Sequence, residues 1–293
     1  MIGPLVRSPV RGPRSEPLPI DARRRARNLL GDLVELVTAP LGFWHLKRLE
    51  VATVEVKIAG LAPAFDGYRI AFLTDLHSSA IVPLWWLRQA VEQTLETRSD
   101  LIALGGDFVH DDPGYARGLT ELLTPLAAPD GVVAVLGNHD HYIGPELVRE
   151  ALSKAGVVEL LNVPRRLLRG DAELVVAGVG DLQCDAIDFA AAVGAAPSSV
   201  PRVVLSHDPD VFAYWPAGVR LDLMVSGHTH GGQAYLPILG PPFVPSQFGF
   251  RYLRGLFREG DRQLYVSRGV GASGVPFRWG CPPELTVVVL RPS

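Results

Sequence analysis

The sequence predicts an α/β protein made of two packed β-sheets flanked by helices. Three observations carry that reading. Apolar runs of strand length alternate with helical stretches through the first half of the chain after residue 50. Polar strand ends at Asp75, Asp107 and Asn138 recur at intervals of 32 and 31 residues, about the size of a strand–helix–strand unit. The second half is rich in strand candidates with few helices between them, which implies a second sheet stacked on the first.

The first 22 residues are rich in Pro, Arg and Ser, the composition of a disordered arm. Arg23, Arg24, Arg25 and Arg27 follow. Leu29, Leu30, Leu33, Leu36 and Val37 then fall on one helical face, and Pro40 ends the pattern before Phe43, Trp44, Lys47 and Arg48. A basic cluster, an apolar stripe and a tryptophan suit a helix lying in a membrane interface. Residues 1–50 are therefore expected to form a basic arm with an amphipathic, membrane-interfacial helix, and residues 51–293 the folded domain. The rival readings of this stretch are a helix packed on its own domain and, more remotely, a nucleic-acid-binding arm.

Val51 to Ile58 alternates apolar and polar residues and reads as a half-buried strand. Tyr68 to Thr74 is a short apolar run ending in Asp75-Leu-His77. Pro83 to Thr97 reads as a helix, and Leu101 to Leu104 as a strand ending in Gly105-Gly-Asp107. Tyr115 to Leu126 is helical. Gly131 to Leu136 is a strand ending in Gly137-Asn-His-Asp140. Pro145 to Ala155 is a helix with proline in its first turn. Leu174 to Val179, Arg202 to Leu205, Leu221 to Val225, Leu264 to Ser267 and Leu285 to Leu290 are strand candidates.

At 293 residues, 47% hydrophobic and 20% charged, the chain can bury an ordinary soluble core. A formal net charge of −3 gives no general attraction to nucleic acid. Its two cysteines, Cys184 and Cys281, are far apart and lack metal-type spacing. No run of 18 uncharged apolar residues or secretory signal pattern occurs.

Five strand candidates end in polar clusters: Asp75/His77, Asp107, Asn138/His139/Asp140, His207, and His228/His230. Of eight histidines, five lie in these clusters, His110 and His141 lie within three residues of one, and only His45 is elsewhere. A single strand-end histidine is usually a hydrogen-bonded loop residue. Five such ends with Asp, Asn and His, and no Cys among them, point to a metal site. Imidazole, carboxylate and amide oxygen suit Mn, Fe, Zn or Ni. Seven candidate ligands exceed one tetrahedral site and suit two ions sharing a carboxylate. Two divalent ions about 3.5–4 Å apart supply a nucleophile near neutral pH and clamp a phosphoryl group for in-line displacement.

Asp75-x-His77, Gly106-Asp107, Gly137-Asn138-His139-Asp140, His207 and Gly227-His228-x-His230 resemble the calcineurin-like metallophosphoesterases, in order and over roughly residues 51–293. The finer pattern, Gly227 to Gln233, Tyr265 to Gly271 and Pro276-Phe-Arg278, is similar to a bacterial, membrane-associated phosphodiesterase branch. That branch includes UDP-2,3-diacylglucosamine diphosphatases of lipid A biosynthesis and transmembrane proteins with a metallophosphoesterase domain. The resemblance implies a four-layer αββα sandwich and two divalent ions, Mn, Fe or Zn. It implies one ion on Asp75, His77, Asp107 and His230, and a second on Asp107, Asn138, His207 and His228, with Asp107 bridging. His139 would protonate the leaving oxygen, and Asp140 would orient His139. Arg268 and His110 are weaker candidates for substrate contact, and Asp208 and Asp210 read as turn or supporting groups.

The segment Leu236 to Phe257, with four prolines and several aromatics, and Trp85-Trp86 are candidates for an apolar rim. With the arginine-rich arm they favour a lipid-bearing phosphodiester or diphosphate, and a cytoplasmic protein held peripherally at the inner membrane through residues 23–48. A nuclease or cyclic-nucleotide phosphodiesterase is the rival enzyme, although no basic stripe for a polymer lies outside the arm. A metal-containing binding module without turnover is the rival of another class. No obligate protein partner is expected.

Overall fold

The structure, a computed structural model, describes residues 49–235 and 240–293. The expected arm and interfacial helix, and part of the Leu236 to Phe257 segment, lie outside the described residues.

The first sheet contains β1 (Glu50–Ile58), β2 (Arg69–Leu73), β3 (Leu101–Leu104), β4 (Val132–Ala134), β5 (Val158–Glu159) and β12 (Glu284–Pro292), in the order β1-β12-β2-β3-β4-β5. The second contains β6 (Val163–Arg169), β7 (Ala172–Gly178), β8 (Arg202–Leu205), β9 (Leu223–Ser226), β10 (Gly255–Glu259) and β11 (Arg262–Val266), in the order β10-β11-β9-β8-β7-β6. Both are mixed. β2, β3, β4 and β5 run parallel, as do β7, β8, β9 and β11, while β12 opposes β2 and the hairpin partners β6 and β10 are antiparallel.

Side chains alternate across each strand, and that alternation builds the layers. On β2, Ile70 and Phe72 point between the sheets, where they meet Leu101, Val176, Val203, Leu223 and Val288. Ala71 and Leu73 point outward under a layer of helical residues that includes Leu87, Val91, Leu119, Val148 and Leu152. On the far side, Val175, Ala177, Val204 and Met224 pack on Phe189, Phe212 and Trp215. The result is the expected helix–sheet–sheet–helix sandwich.

The helix Leu84–Glu96 starts after Pro83 and buries Trp86, Leu87, Ala90, Val91 and Thr94 on one face. The expected helix Tyr115 to Leu126 divides into a 3₁₀ turn, Pro113–Gly118, and a short helix, Leu119–Leu123. Asp112 caps the first piece by accepting from Gly114 N at 2.8 Å. The side chain of Leu84 fills the space over Gly118 where a Cβ would stand. Strands β5, β6 and β10 were not legible in the sequence. All three lie at sheet edges, half exposed, and charges such as Arg165, Arg166 and Arg258 interrupt their apolar pattern.

Candidate active site

The parallel strands of both sheets end on one side of the molecule, and the five polar clusters follow them there. Asp75 and His77 follow β2, Asp107 follows β3, and the helix Asn138–Ile143 follows β4. His207 follows β8, and His228 and His230 follow β9. Backbone bonds tie the loops together. Asp75 N donates to Gly106 O at 3.0 Å, His77 N to Asp107 O at 2.9 Å, and Gly227 N to His207 O at 3.1 Å. Asp75 Oδ1 accepts from His228 N at 3.0 Å, joining the two sheets.

The local backbone is unusual. Asp75, His77, Asp107, His228 and His230 all have φ between 47° and 69°, a region costly for side chains with a Cβ. Such strain persists only where the surroundings enforce it, and it collects at functional sites. Two glycines make the close packing possible. A Cβ at Gly137 would sit on Asp107 Oδ1, and one at Gly227 would sit on Thr74 Oγ1 and Asp75 Oδ2.

Two buried groups of possible metal ligands result, Asp75/His77/His230 and Asp107/His207/His228. Asp107 Oδ2 lies 3.4 Å from His77 Nε2 and 3.2 Å from His207 Nε2, so one carboxylate oxygen faces both groups. His77 Nε2 and His230 Nε2 stand 2.9 Å apart, and the latter lies 3.5 Å from Asp75 Oδ1. His228 Nδ1 lies 3.1 Å from His207 Nε2. His207 Nδ1 must donate to Gly105 O, 2.7 Å away, because a carbonyl only accepts. That fixes the tautomer and leaves Nε2 aimed at Asp107. A third group, His77/His110/His139, lies beside the first. His110 Nδ1 is 3.1 Å from His77 Nδ1, and its ring stacks on His139 at 4.8 Å.

Burial holds His77 and His230 well below the ordinary histidine range, so their rings are neutral and keep a lone pair. Burial also lowers His228, with the His207 charge adding to it. For His207 burial opposes charging, but the Asp107 carboxylate outweighs it and raises the imidazole well above its usual value. Burial likewise opposes ionisation of Asp107, and His207 outweighs it, so Asp107 is held well below the carboxylate range. Asp107 and His207 thus stabilise each other electrostatically, and a divalent cation held by both would displace any shared proton.

The residues fit such cations. The donors are carboxylate oxygens, imidazole nitrogens and one amide oxygen. Asn138 Oδ1 is buried without a hydrogen-bond partner, a costly state that a bound cation removes.

Two expectations need correction. Asp140 does not reach His139. Its Oδ2 accepts from Asp107 N at 2.9 Å and Gly137 N at 3.0 Å, and its Oδ1 from Phe108 N at 2.9 Å and Val109 N at 3.4 Å. The His139 Nδ1–H instead donates to the His110 carbonyl at 2.5 Å. Burial and the neighbouring Asp107 charge push the Asp140 carboxyl up to about 7, against the pull of those backbone donors. Arg268 does not face the cluster with a free guanidinium. Its Nε donates to Glu284 Oε2 at 2.5 Å and its Nη2 to Glu50 Oε2 at 2.9 Å. Asp208 and Asp210 are turn groups: Asp208 Oδ1 accepts from Asp210 N, and Asp210 from Ser246 Oγ and Gln247 N.

Two residues near the site escape the five-cluster reading. Arg278 is buried, with Nε donating to Gly271 O at 2.7 Å and Nη2 lying 3.2 Å from His230 Nδ1. Its signal was its place in Pro276-Phe-Arg278. Asp181, fully buried, follows β7 just as His207 follows β8. Its signal was a sixth strand candidate, Leu174 to Val179, that also runs into a carboxylate.

A buried His/Asp constellation across the carboxyl ends of two stacked sheets defines a dinuclear metallohydrolase. Residues 68–232 match the calcineurin-like phosphoesterase family, and the chain belongs to that family. It is 38% identical over 277 residues to the Escherichia coli phosphodiesterase YaeI, covering 90% of this chain and 98% of that protein. It is 30% identical over 264 residues to the Bacillus subtilis metallophosphoesterase YkuE, covering 87% and 92%. A zebrafish (Danio rerio) transmembrane protein with metallophosphoesterase domain is 27% identical over 277 residues, covering 88% of this chain and 62% of that protein. The chain is thus a metallophosphoesterase. No helix among the described residues is long and apolar enough to cross a membrane.

Proposed function

We propose that this chain hydrolyses phosphodiester or diphosphate bonds in a lipid-bearing substrate of the UDP-2,3-diacylglucosamine type, on the cytoplasmic face of the inner membrane. The observation that carries the chemistry is the position of Asp107 Oδ2, 3.4 Å from His77 Nε2 and 3.2 Å from His207 Nε2. In this reading Asp75, His77, Asp107 and His230 hold one divalent ion, and Asp107, Asn138, His207 and His228 the other. Manganese is our favoured occupant. The bound ions supply Lewis acidity and a nucleophile near neutral pH.

The chain's own groups do the rest. Gly105 O holds His207 in the tautomer that presents Nε2. The His110 carbonyl holds the Nδ1–H of His139, which turns the opposite nitrogen, Nε2, toward the substrate. From there His139 stabilises charge on the phosphoryl oxygens and delivers a proton to the leaving oxygen. His110 packs beside it at the cleft wall.

The lipid reading draws support from exposed aromatic side chains that follow the metal histidines in sequence. Trp279 is exposed and adjoins Arg278, whose guanidinium touches His230; Phe243 and Phe250 are exposed on the segment after the metal histidines. The zebrafish relative's name also associates this domain with membranes. We assign residues 1–50 as an arm that engages the membrane through 23–48, and 51–293 as the catalytic domain.

The test pairs two measurements. Asp107→Asn in the manganese-loaded protein should lose metal and diesterase activity together; retention of both refutes the bridging role. Deleting residues 1–45 should abolish binding to anionic liposomes while sparing hydrolysis of a soluble chromogenic diester. Undiminished liposome binding refutes membrane engagement, and cleavage of DNA or cyclic nucleotides in preference to nucleotide-sugar lipids refutes the substrate class.

A further inference from the structure

Asp181 is a buried carboxylate with half of its bonding capacity unused. Its Oδ1 accepts from Gln183 N at 2.8 Å and from Cys184 N at 3.0 Å, which closes the turn after β7. Its Oδ2 is buried and has no hydrogen-bond partner. Leaving a carboxylate oxygen dry is costly unless something meets it.

Its position says what that is. Val179 N donates to Leu205 O at 3.0 Å, so β7 and β8 end side by side. Asp181 then stands two residues beyond Val179, as His207 stands two beyond Leu205. The Asp181 carboxylate lies within electrostatic range of both His207 and His228. Yet Asp181 is not among the carboxylates whose oxygens gather with those imidazole nitrogens. It is a neighbour of the Asp107/His207/His228 group without being a direct member of it.

Charge explains the need. Asp75 and Asp107 contribute two negative charges to a site built for two divalent ions. Asp107 is shared, and Asn138, His207 and His228 bring no charge of their own to the second. A low-dielectric pocket penalises uncompensated charge heavily. We infer that Asp181 is a positioning carboxylate for the second ion, its free Oδ2 accepting from a water or substrate group held there. The inference rests on the assignment of His207 and His228 to that ion.

The test is metal binding by the full chain, read by calorimetric titration with Mn²⁺ and by metal analysis after desalting. Asp181→Asn keeps an amide oxygen for the Gln183 and Cys184 N–H groups while removing the charge and replacing the free Oδ2 acceptor by an NH2. It should bind the first ion as the unaltered chain does and the second about 10–100-fold more weakly, the range for outer partners of a metal site. Asp185→Asn is the control. Asp185 Oδ2 accepts from Asp181 N at 2.9 Å, so this variant disturbs the same turn while leaving the Asp181 charge. It should keep both affinities. Two ions bound to Asp181→Asn at unaltered affinity would overturn the inference alone. Equal loss in Asp185→Asn would reduce Asp181 to a turn-former and also overturn it. An unaltered chain that binds fewer than two ions would overturn the dinuclear assignment and this inference with it.

Discussion

Asp140 Oδ2 accepts a hydrogen bond from the backbone N–H of Asp107 at 2.9 Å. With its three other backbone partners, this carboxylate fixes the loop after β3 against the start of the helix Asn138–Ile143. It holds the bridging residue's main chain in its left-handed conformation, φ 54°. Asp140→Ala is therefore a folding variant. It should cost about 3–5 kcal/mol, since four buried backbone donors lose their acceptor together. Urea unfolding measures this, and unchanged stability with turnover lost would restore an orienting role toward His139.

His139 differs because its side chain is partly exposed and its ring nitrogen bonds the His110 carbonyl, not a buried carboxylate. His139→Ala should retain two ions per chain while turnover of a chromogenic diester falls about 10²-fold or more. The fall should be smaller for a substrate whose leaving group needs no proton. Metal analysis beside steady-state kinetics decides it, and unchanged turnover on a poor leaving group removes the acid role.

Arg268 belongs to an ion-pair network. Glu284, nearly buried at 3% exposure, also accepts from Tyr265 OH and Thr286 Oγ1 at 2.7 and 2.6 Å. Arg268→Met would leave that carboxylate without its cation. Stability should fall by about 2–4 kcal/mol, while KM for a soluble diester changes less than about threefold. A large rise in KM at unchanged stability would return Arg268 to the phosphate.

Asp130 links the first sheet to the hairpin of β6 and β7. It accepts from Tyr68 OH at 2.7 Å and from both terminal nitrogens of Arg169. Burial opposes its ionisation, but Arg169 and Tyr68 outweigh it and lower its pKa. A carboxyl lowered by folding stabilises the protein above its unfolded value, near 4, and that contribution fades as pH drops through the folded value. Asp130→Asn should cost about 1–2 kcal/mol at pH 7 and shrink the stability lost between pH 5 and 3. An equal acid slope in both proteins would assign that slope to other carboxylates.

The amino-acid order alone determined the layers and the cluster. Strand runs and helical faces are local patterns of period two and 3.6, and β2, the helix Leu84–Glu96 and β3 were readable one by one. Strand ends carrying Asp, Asn and His were readable too, because parallel topology brings such ends to one edge whatever the loops do. What tertiary structure alone decided was which side chain meets which. Asp140 and His139 are adjacent in sequence, yet helical backbone sends one to the Asp107 loop and the other to the His110 carbonyl. Arg268 precedes a glycine-rich turn like a substrate residue, but a buried Glu284 sixteen positions away claims it. The edge strands β5, β6 and β10 were hidden for a related reason: a half-exposed edge needs no apolar alternation, so only pairing with a neighbour reveals it. Hydrogen bonds and ion pairs between distant residues depend on ångström-scale placement, and hydrophobic periodicity does not encode that.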